Sequence, residues 1–250
     1  MRKIFLVLLV LLAITGNLFG EGKKEEVAKK VVVATDATWP PMEFVNEQKE
    51  IVGFDIDLMK GIAKEAGFEV EFRNTAWDGI FAGLKNRQYD AIISSVTITE
   101  ERKKEMDFSE PYINAGQVLI VRKDTAGVTT LNDLKGKSVG AQIGTTGSFE
   151  VEKVEGVTLK TYDELGFAIE DLVNGRIDGV VADTPIAADY ALQNEKYKGK
   201  LKIVGEPFTD EYYGIAVAKG NKELLDKINE GLRKVKQKGL IEELKNKWLR

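Results

Sequence analysis

The stretch Leu-Lys-Asn-Arg-Gln-Tyr-Asp-Ala-Ile-Ile-Ser-Ser at residues 84–95 returns as Leu-Val-Asn-Gly-Arg-Ile-Asp-Gly-Val-Val-Ala-Asp at residues 172–183. Each copy is typical of a helix end, a turn and a buried strand. A shorter pair, Val-Ala-Thr-Asp at 33–36 and Val-Gly-Ala-Gln at 139–142, repeats in the same order. Any two strand-after-helix segments look somewhat alike. The shared leucine, asparagine and aspartate positions nevertheless favour two copies of one α/β lobe, the second beginning near Leu131.

The elements around the first copy alternate between strands and helices. Short β-branched or apolar runs predict strands, and apolar residues three and four positions apart predict helices. The predicted elements are a strand at Val31–Ala34, a helix at Phe54–Gly67, a strand at Glu69–Arg73, a helix at Asp78–Lys85, a strand at Ala91–Ser94 and a closing helical run at Lys222–Arg250. Such alternation predicts mixed, mostly parallel sheets with helices on their faces.

The composition narrows the classes of function. With 250 residues, 43% hydrophobic and 30% charged, the chain is long enough for one large or two small domains. Its 36 basic and 40 acidic residues give a net charge of −4 with no basic stripe, which argues against nucleic-acid binding. The sequence has no cysteine and no histidine. Zinc sites of the Cys/His type, thiol nucleophiles and histidine-dependent hydrolases are therefore excluded, and we expect neither a cofactor nor a metal.

The N-terminus has the features of a secretory signal. Basic residues precede an apolar run at residues 4–14, and small residues follow it. We expect residues 1–20 to be a cleaved signal peptide and residues 21–30 to be a polar tether, with an uncleaved membrane anchor as the alternative. The mature protein is then periplasmic or otherwise extracytoplasmic.

The repeat predicts where a ligand binds. In open α/β sheets, ligands lie beyond the carboxyl ends of the strands. Two residues in each predicted lobe lie at such ends: Asp36, Ser95, Gln142 and Asp183. If the lobes face each other, these four residues converge on one cleft.

The chain has to cross between the two lobes twice. We expect lobe one to comprise residues 31–114 and 215–250, and lobe two to comprise residues 119–208. The hinge is then expected at about 113–119 and 208–216. Two hinge segments of this kind allow the lobes to close around a ligand.

Several short motifs, taken in order, resemble a known family. They are Asp-Ala-Thr-Trp-Pro-Pro at 36–41, Gly-Phe-Asp-Ile-Asp-Leu at 53–58, Asp-Ala-Ile-Ile-Ser-Ser-Val-Thr-Ile-Thr at 90–99, Glu-Arg at 101–102, Asp-Phe-Ser-Glu-Pro-Tyr at 107–112, Gly-Thr-Thr-Gly at 144–147 and Asp183. Over nearly the whole mature chain the sequence resembles the periplasmic binding proteins for polar amino acids that serve ABC importers, of the arginine, lysine, ornithine and histidine type. The resemblance implies the type II fold of periplasmic binding proteins, with two similar lobes.

The carboxylate of an amino acid needs a planar cationic fork and N–H donors. Arg102, in the first turn of a predicted helix, suits this need, and the resemblance assigns it this role. A surface arginine in a charged turn is the alternative. Thr146, in a loop flanked by glycines, looks like a second carboxylate clamp. Many relatives carry a glutamine where this chain has Gly147, so the geometry at this end is expected to differ from theirs.

The α-ammonium group needs an acceptor carboxylate in a dry cleft. The resemblance places the ammonium-binding acid at Asp183, at the end of a predicted strand. Because Asp183 also precedes Thr-Pro, a helix N-cap is a second role, and the two roles are compatible. Ser95, its counterpart in the repeat, adds an acceptor, and the nearby Ser94 and Thr97 complete the predicted ligand-binding residues of this segment.

The side chain of the ligand decides specificity. Trp39 and Trp77 occupy positions where the family uses aromatic rings to sandwich the ligand, although ordinary buried tryptophans are the alternative. Two indoles suit a methylene chain or a guanidinium, with a cation–π energy of about 0.5–2 kcal/mol per face. Asp36, Glu43 and Gln142 are expected at the far end of the pocket, where two carboxylates repel an acidic side chain and attract a cationic one.

The expected ligand is therefore a free cationic L-amino acid, and the expected partner is an ABC permease in the membrane. Arginine is the first choice, followed by lysine, ornithine or histidine, with glutamine as a neutral fallback. We expect capture by hinge closure and no catalysis. The alternatives are a secreted cyclohexadienyl or arogenate dehydratase on the same fold, using Glu43 or Asp183 as the acid, and the sensing domain of a receptor.

Overall fold

The computed structural model describes residues 30–249. The predicted signal peptide, and all but the last residue of the predicted tether, lie outside the described residues. The strands are β1 (Val31–Thr35), β2 (Thr38–Trp39), β3 (Glu43–Val45), β4 (Ile51–Val52), β5 (Val70–Asn74), β6 (Ala91–Ile92), β7 (Met106–Phe108), β8 (Ile113–Asn114), β9 (Gln117–Arg122), β10 (Ser138–Gln142), β11 (Thr158–Tyr162), β12 (Gly179–Asp183), β13 (Leu201–Val204), β14 (Tyr212–Tyr213) and β15 (Ala216–Ala218). The helices are α1 (Phe54–Ala66), α2 (Trp77–Lys85), α3 (Glu100–Glu105), α4 (Thr146–Glu152), α5 (Leu165–Val173), α6 (Thr184–Ala188), α7 (Lys222–Gln237) and α8 (Leu240–Trp248).

Two five-stranded sheets form the centres of two lobes. The strand order is β5-β1-β6-β15-β7 in lobe one and β11-β10-β12-β9-β13 in lobe two. In each sheet the first three strands run parallel, and the fourth runs antiparallel to both of its neighbours. The predicted α/β architecture with mixed, mostly parallel sheets is confirmed, and the two lobes share one topology.

The repeated sequence makes the same contacts in both lobes. Asp90 accepts a hydrogen bond from a backbone N–H of β1 (2.8 Å), and Asp178 accepts one from a backbone N–H of β10 (3.0 Å). Each aspartate thus fixes the turn that follows a helix to the strand that lies second in the order of its own sheet, β1 or β10. In the turn itself, Arg87 and Gly175 occupy the same left-handed position, with φ angles of 56° and 71°.

Helices cover both faces of each sheet, as the spacing of their apolar residues requires. In lobe one, α1, α7 and α8 pack on one face and α2 on the other. In lobe two, α5 and α6 pack on one face and α4 on the other. Helix α1 ends as predicted because Gly67 adopts a left-handed conformation (φ 75°). The closing run is two helices where one was predicted, because Gly239 (φ 77°) ends the helical geometry between α7 and α8.

The chain crosses between the lobes at β8 and β14, which pair with each other in antiparallel fashion. The strand after the first crossing, β9, becomes the antiparallel strand of lobe two, and β15, after the second crossing, becomes that of lobe one. Each predicted hinge range includes one strand of this pair, while the domain boundaries themselves stay predictions. Within residues 30–249, no helix has both the length and the hydropathy that a membrane span requires.

Candidate functional site

One cavity of about 310 Å³ lies between the two lobes, at the carboxyl ends of the strands. The cavity is lined by residues of both lobes: Asp36, Trp39, Glu43, Trp77, Ser94, Ser95, Thr97, Arg102, Gln142, Thr145, Thr146 and Asp183. This set contains all eleven residues that the sequence predicts as ligand-binding, together with Thr145, which the sequence analysis did not single out.

Arg102 reaches across the gap between the lobes. Its backbone N–H donates to the hydroxyl of Thr99 (3.1 Å), which caps helix α3 and so places the side chain. The guanidinium donates to the carbonyl oxygen of Thr97 (2.9 Å) in lobe one and to that of Gly144 (3.3 Å) in lobe two. Burial lowers the pKa of Arg102 to about 10, and two nearby carboxylates oppose this shift. Arg102 is therefore a charged group inside the cleft at neutral pH and not a surface arginine.

Asp183 faces the same cavity from lobe two, at the end of β12. Its side chain makes no capping hydrogen bond to α6, so the N-cap role is limited to its position in the chain. Instead, its Oδ1 oxygen accepts a hydrogen bond from the side-chain amide of Gln117 (2.9 Å). Burial, together with repulsion from Glu211, raises the pKa of Asp183 to about 7. This carboxylate would gain from a cationic group placed in the cavity.

Two strand ends that correspond in the repeat meet across the cavity. Gln142 of lobe two donates to Asp36 Oδ2 of lobe one (2.9 Å), and Thr38 donates to Asp36 Oδ1 (2.9 Å). Burial raises the pKa of Asp36, while these hydrogen bonds partly offset the rise. The Asp36–Gln142 pair joins the lobes at a second point, in addition to the bond from Arg102 to Gly144.

An acidic cluster supports the cavity from lobe one. Glu43 accepts hydrogen bonds from the hydroxyls of Ser94 (3.1 Å) and Ser95 (3.3 Å). Asp55 accepts from the backbone N–H of Ser95 (2.8 Å) and from the hydroxyl of Tyr112 (2.8 Å). Burial and the charge of Asp55 raise the pKa of Glu43 well above its ordinary value, and burial raises the pKa of Asp55 to about 6. The cluster holds Ser95 in a left-handed conformation (φ 50°) and attracts either protons or a cation.

Both predicted tryptophans line the cavity and also belong to the apolar core. Trp39 is 6% exposed and Trp77 is 8% exposed, so both are also buried core residues, as the alternative interpretation had it. The Trp77 ring lies 5.5 Å from the guanidinium carbon of Arg102 and meets Phe81 edge to face at 5.0 Å. Trp77 therefore already contacts a cation of the protein itself. A sandwich of both indoles around a ligand stays a prediction.

The loop around Gly147 has little room for a side chain at that position. A Cβ atom on Gly147 would lie 2.8 Å from Gln117 Oε1. The side chain of Gln117, which comes from β9, thus fills the space that a side chain at position 147 would need. Its Nε2 atom donates to the hydroxyl of Thr146 (3.1 Å) as well as to Asp183.

Four polar residues that support the cavity were missed by the sequence analysis as site residues: Asp55, Tyr112, Gln117 and Glu211. Gln117 and Glu211 lie inside the two predicted hinge ranges, and there was a signal for them. The crossings pass along the cleft, so polar side chains within them are placed beside the ligand site. Among residues 30–249, no group of three acidic side chains is arranged to hold a metal ion.

The arrangement suits a small zwitterion with a cationic side chain. A cation from one lobe and a carboxylate from the other are available for the two charged ends of such a ligand, and further carboxylates lie near the same cavity. The set offers no histidine or cysteine for nucleophilic or acid–base chemistry.

Comparisons with known proteins give a consistent picture. A sequence model of the bacterial extracellular solute-binding proteins, family 3, matches residues 31–250. The chain is 39% identical over 227 residues to ABC transporter arginine-binding protein 1 of Escherichia coli K12, covering 88% of this chain and 91% of that protein. It is 35% identical over 234 residues to the L-cystine-binding protein TcyJ of the same organism, covering 91% and 86%. The solved structure of an ancestral arginine-binding protein bound to arginine superposes with a TM-score of 0.84 at 46% identity, covering 88% of this chain and 98% of that one.

Proposed function

The chain belongs to the bacterial extracellular solute-binding proteins of family 3, and we propose that it captures a cationic amino acid, arginine before the others, outside the cytoplasm and delivers it to an ABC permease. The resemblance inferred from its motifs is confirmed. The choice of ligand, the residues that bind it and the partner in the membrane are the parts that we propose.

One observation carries the proposal: Arg102 of lobe one and Asp183 of lobe two face the same cavity. The guanidinium of Arg102 would bind the ligand carboxylate through its planar fork of N–H groups. Asp183 would accept from the α-ammonium group, with Ser95 as a further acceptor. A ligand that binds both residues has to carry both charges within a few ångströms, as a free amino acid does.

The balance of charge supports a cationic side chain. Of the charged residues that line the cavity, Asp36, Glu43 and Asp183 are acids and Arg102 is the base. Burial raises the pKa of all three acids, so their ionised forms are disfavoured in the cavity and would be stabilised by a ligand cation. Trp39 adds an aromatic wall for the methylene chain or the guanidinium of the ligand. Lysine, ornithine, histidine and glutamine follow arginine in the expected order.

Closure of the lobes is the proposed mechanism of capture. The hydrogen bonds from Arg102 to Gly144 and from Gln142 to Asp36 link the two lobes directly, so they break when the lobes separate. A ligand that touches both lobes binds the closed form better and shifts the population towards it. The closed shape would then be the form that the permease recognises.

A thermal-shift screen against all common amino acids tests the choice of ligand. The chain has no cysteine, so the protein can be unfolded in guanidinium, washed free of bound ligand and refolded with no disulfide to reform. A ligand at a hundred times its Kd adds about 2.7 kcal/mol to the free energy of unfolding. We expect the largest rise in Tm with arginine. A largest rise with an acidic amino acid, or no rise with any amino acid, would contradict the proposal.

Small-angle scattering tests the mechanism separately. The radius of gyration should fall when the refolded protein is saturated with its best ligand, because two separated lobes come together. An unchanged radius with a bound ligand would contradict closure while leaving the choice of ligand intact.

No observation on the cavity favours the dehydratase alternative. Its lining carries more acids than bases, which disfavours a prephenate-like dianion. Incubation with arogenate should therefore yield no phenylalanine. Formation of phenylalanine that depends on Glu43 or Asp183 would overturn the proposed lack of catalysis.

A further inference from the structure

Glu211 lies behind the cavity, at the pivot between the two lobes. It belongs to the second crossing, directly before β14, and it does not line the cavity. Its side chain is largely buried, with 9% exposure for the residue. Its backbone carbonyl accepts a hydrogen bond from the N–H of Ala115 on the first crossing (2.8 Å). Both crossings therefore hold Glu211 in place.

One oxygen of Glu211 meets hydroxyls from both lobes. Glu211 Oε2 lies 2.9 Å from the hydroxyl of Thr97 in lobe one and 2.6 Å from the hydroxyl of Thr146 in lobe two. The side-chain amide of Gln117 approaches the same oxygen at 3.4 Å. A carboxylate oxygen carries no proton and can only accept, so both hydroxyls and the amide N–H donate to it.

This contact fixes what the two threonines can offer to a ligand. A hydroxyl group has one proton and two lone pairs. When that proton is donated to Glu211, the hydroxyl oxygen that faces the cavity can only accept. An acceptor stabilises an ammonium group and disfavours a carboxylate, which is itself an acceptor. The hydroxyl of Thr146 is thus poorly suited to clamp a ligand carboxylate.

We propose that Glu211 is a specificity-determining residue that accepts hydrogen bonds from the hydroxyls of Thr97 and Thr146, so that this end of the cavity selects ligands with an α-ammonium group. The inference rests on the proposed function, since it assumes that an amino acid occupies the cavity. Because the two threonines belong to different lobes, the selective site is complete only when the lobes are closed. Glu211 acts through the threonines and is a positioning residue in this sense.

Three ligands separate the contributions of the two charged groups. They are arginine, 5-guanidinopentanoate, which lacks the α-amino group, and agmatine, which lacks the carboxylate. Isothermal titration calorimetry gives the Kd of each for the refolded protein. For the wild type, we expect loss of the α-amino group to weaken binding by at least about 100-fold, since buried acceptors then lack a donor.

Two variants of similar size distinguish the role of Glu211 as a hydrogen-bond acceptor from the effect of its negative charge. Glu211→Met removes the acceptor and frees both hydroxyl protons, whereas Glu211→Gln loses the charge but keeps an amide oxygen that can accept them. In Glu211→Met, the penalty for losing the α-amino group should shrink at least tenfold, and the penalty for losing the carboxylate should grow. In Glu211→Gln, both penalties should stay within about threefold of the wild type.

The opposite directions of these changes exclude a general loss of folding or closure, which would weaken all three ligands alike. An unchanged α-amino penalty in Glu211→Met would overturn the proposal. An equally large decrease of the α-amino penalty in Glu211→Gln would also overturn the proposal. The selectivity would then arise from the charge of Glu211 and not from the orientation of the hydroxyls.

The hydrogen bond itself can be measured without any ligand, so this inference stays testable even if the screen finds no amino acid. A double-mutant cycle combines Glu211→Met with Thr146→Val and follows unfolding in guanidinium. If the hydroxyl donates to Glu211, the unfolding constant of the double variant should be about fivefold smaller than independent effects predict. Additive effects within twofold would overturn the inference.

Discussion

Lobe one and lobe two share a frame and differ where their strands end. Asp90 and Asp178 occupy the same place in the repeat, and each binds a backbone N–H of the equivalent strand of its own sheet, β1 or β10. Ser95 and Asp183 also correspond, yet one carries a hydroxyl and the other a carboxylate. Asp90 and Asp178 make their contacts inside their own lobes, and they are the same residue type. The strand-end residues face the other lobe, so the repeat leaves them free to differ.

The same comparison explains why the two lobes are needed together. Lobe one supplies the cation Arg102 and the acidic cluster around Glu43, whereas lobe two supplies Asp183 and the hydroxyl of Thr146. One pair of residues that joins them directly, Asp36 and Gln142, again consists of counterparts in the repeat. Differences between equivalent positions thus create a site that two identical lobes would not have.

The largest expected effect tests the pair of counterparts Asp183 and Ser95. Asp183→Asn should weaken arginine binding by more than about 1,000-fold, because the ammonium group loses its charged partner in a buried site. The matched change Ser95→Ala removes a neutral acceptor and should cost tenfold or less. Calorimetry gives both values. Equal losses at the two positions would break the comparison between the lobes.

Arg102→Ala should follow in size, with a loss of about 3 kcal/mol, or roughly 150-fold, for arginine. The loss arises because the ligand carboxylate has no cationic partner left. Agmatine has no carboxylate and serves as the control, since its affinity should change little. Retained affinity for arginine, or an equal loss for agmatine, would remove Arg102 from the carboxylate end.

The burial of Asp183 should also be visible in stability measured without ligand. Its pKa is about 7 in the folded protein against an ordinary 3.8, so the folded state favours the protonated form. The contribution of Asp183 to the free energy of unfolding is fully present below about pH 4 and is lost as the pH rises through 7. Asp183→Asn has no charge to bury, so its free energy of unfolding should exceed that of the wild type by about 4 kcal/mol at pH 8.

At pH 4 the same variant and the wild type should unfold at the same guanidinium concentration, since both carry a neutral group at position 183. A difference that stays constant between pH 4 and pH 8 would show that burial of the charge is not the cause. The lobe-one counterpart, Ser95→Ala, has no group that titrates and should show no such dependence on pH.

A smaller effect is expected at the aromatic walls. Trp39→Ala should weaken arginine by about 1 kcal/mol more than it weakens glutamine, because only arginine gains a cation–π contact. Trp77→Ala is the matched change, and it should weaken both ligands to a similar extent because its ring already contacts Arg102. Equal losses for the two ligands in Trp39→Ala would argue against stacking at that position.

The smallest effect concerns the repeated turn. Arg87 adopts the left-handed conformation that Gly175 adopts in the other lobe, and a residue with a Cβ pays about 1–2 kcal/mol there. Arg87→Gly should therefore stabilise the protein by about 0.5 kcal/mol after the entropy of glycine is counted, and Gly175→Ala should destabilise it by about 1 kcal/mol. Changes of the same sign at both positions, measured by guanidinium unfolding, would contradict the equivalence of the turns.

The fold was predictable because its signals are local and occur twice. The alternation of strands and helices, the shared Asp90 and Asp178, and the stop at Gly67 each indicate the observed structure. The closing run was predicted less well. Lys222 to Arg250 is rich in helix-forming residues, and the single Gly239 divides it because the chain turns there in a left-handed conformation.

Part of the cavity lining was predictable from strand ends, which can be read from the chain, and the family resemblance supplied Arg102, Thr146 and the two tryptophans. The residues behind the lining were not, because they meet only after folding. Thr97 and Glu211 are 114 positions apart, and Gln117 and Asp183 are 66 apart. The crossings that hold Gln117 and Glu211 have neither helical nor strand periodicity to mark which side chains face the cleft.

Because Gln117 approaches Gly147 closely, the residues at positions 117 and 147 cannot be substituted independently of each other. Adding a glutamine at position 147 alone places its Cβ atom 2.8 Å from Gln117 Oε1, so the side chain of Gln117 has to move away. Shortening Gln117 alone leaves Thr146 and Asp183 without their amide donor. A substitution that introduces a side chain at position 147 should therefore be combined with a change at position 117, so that the amide donor of Thr146 and Asp183 is replaced in the same step.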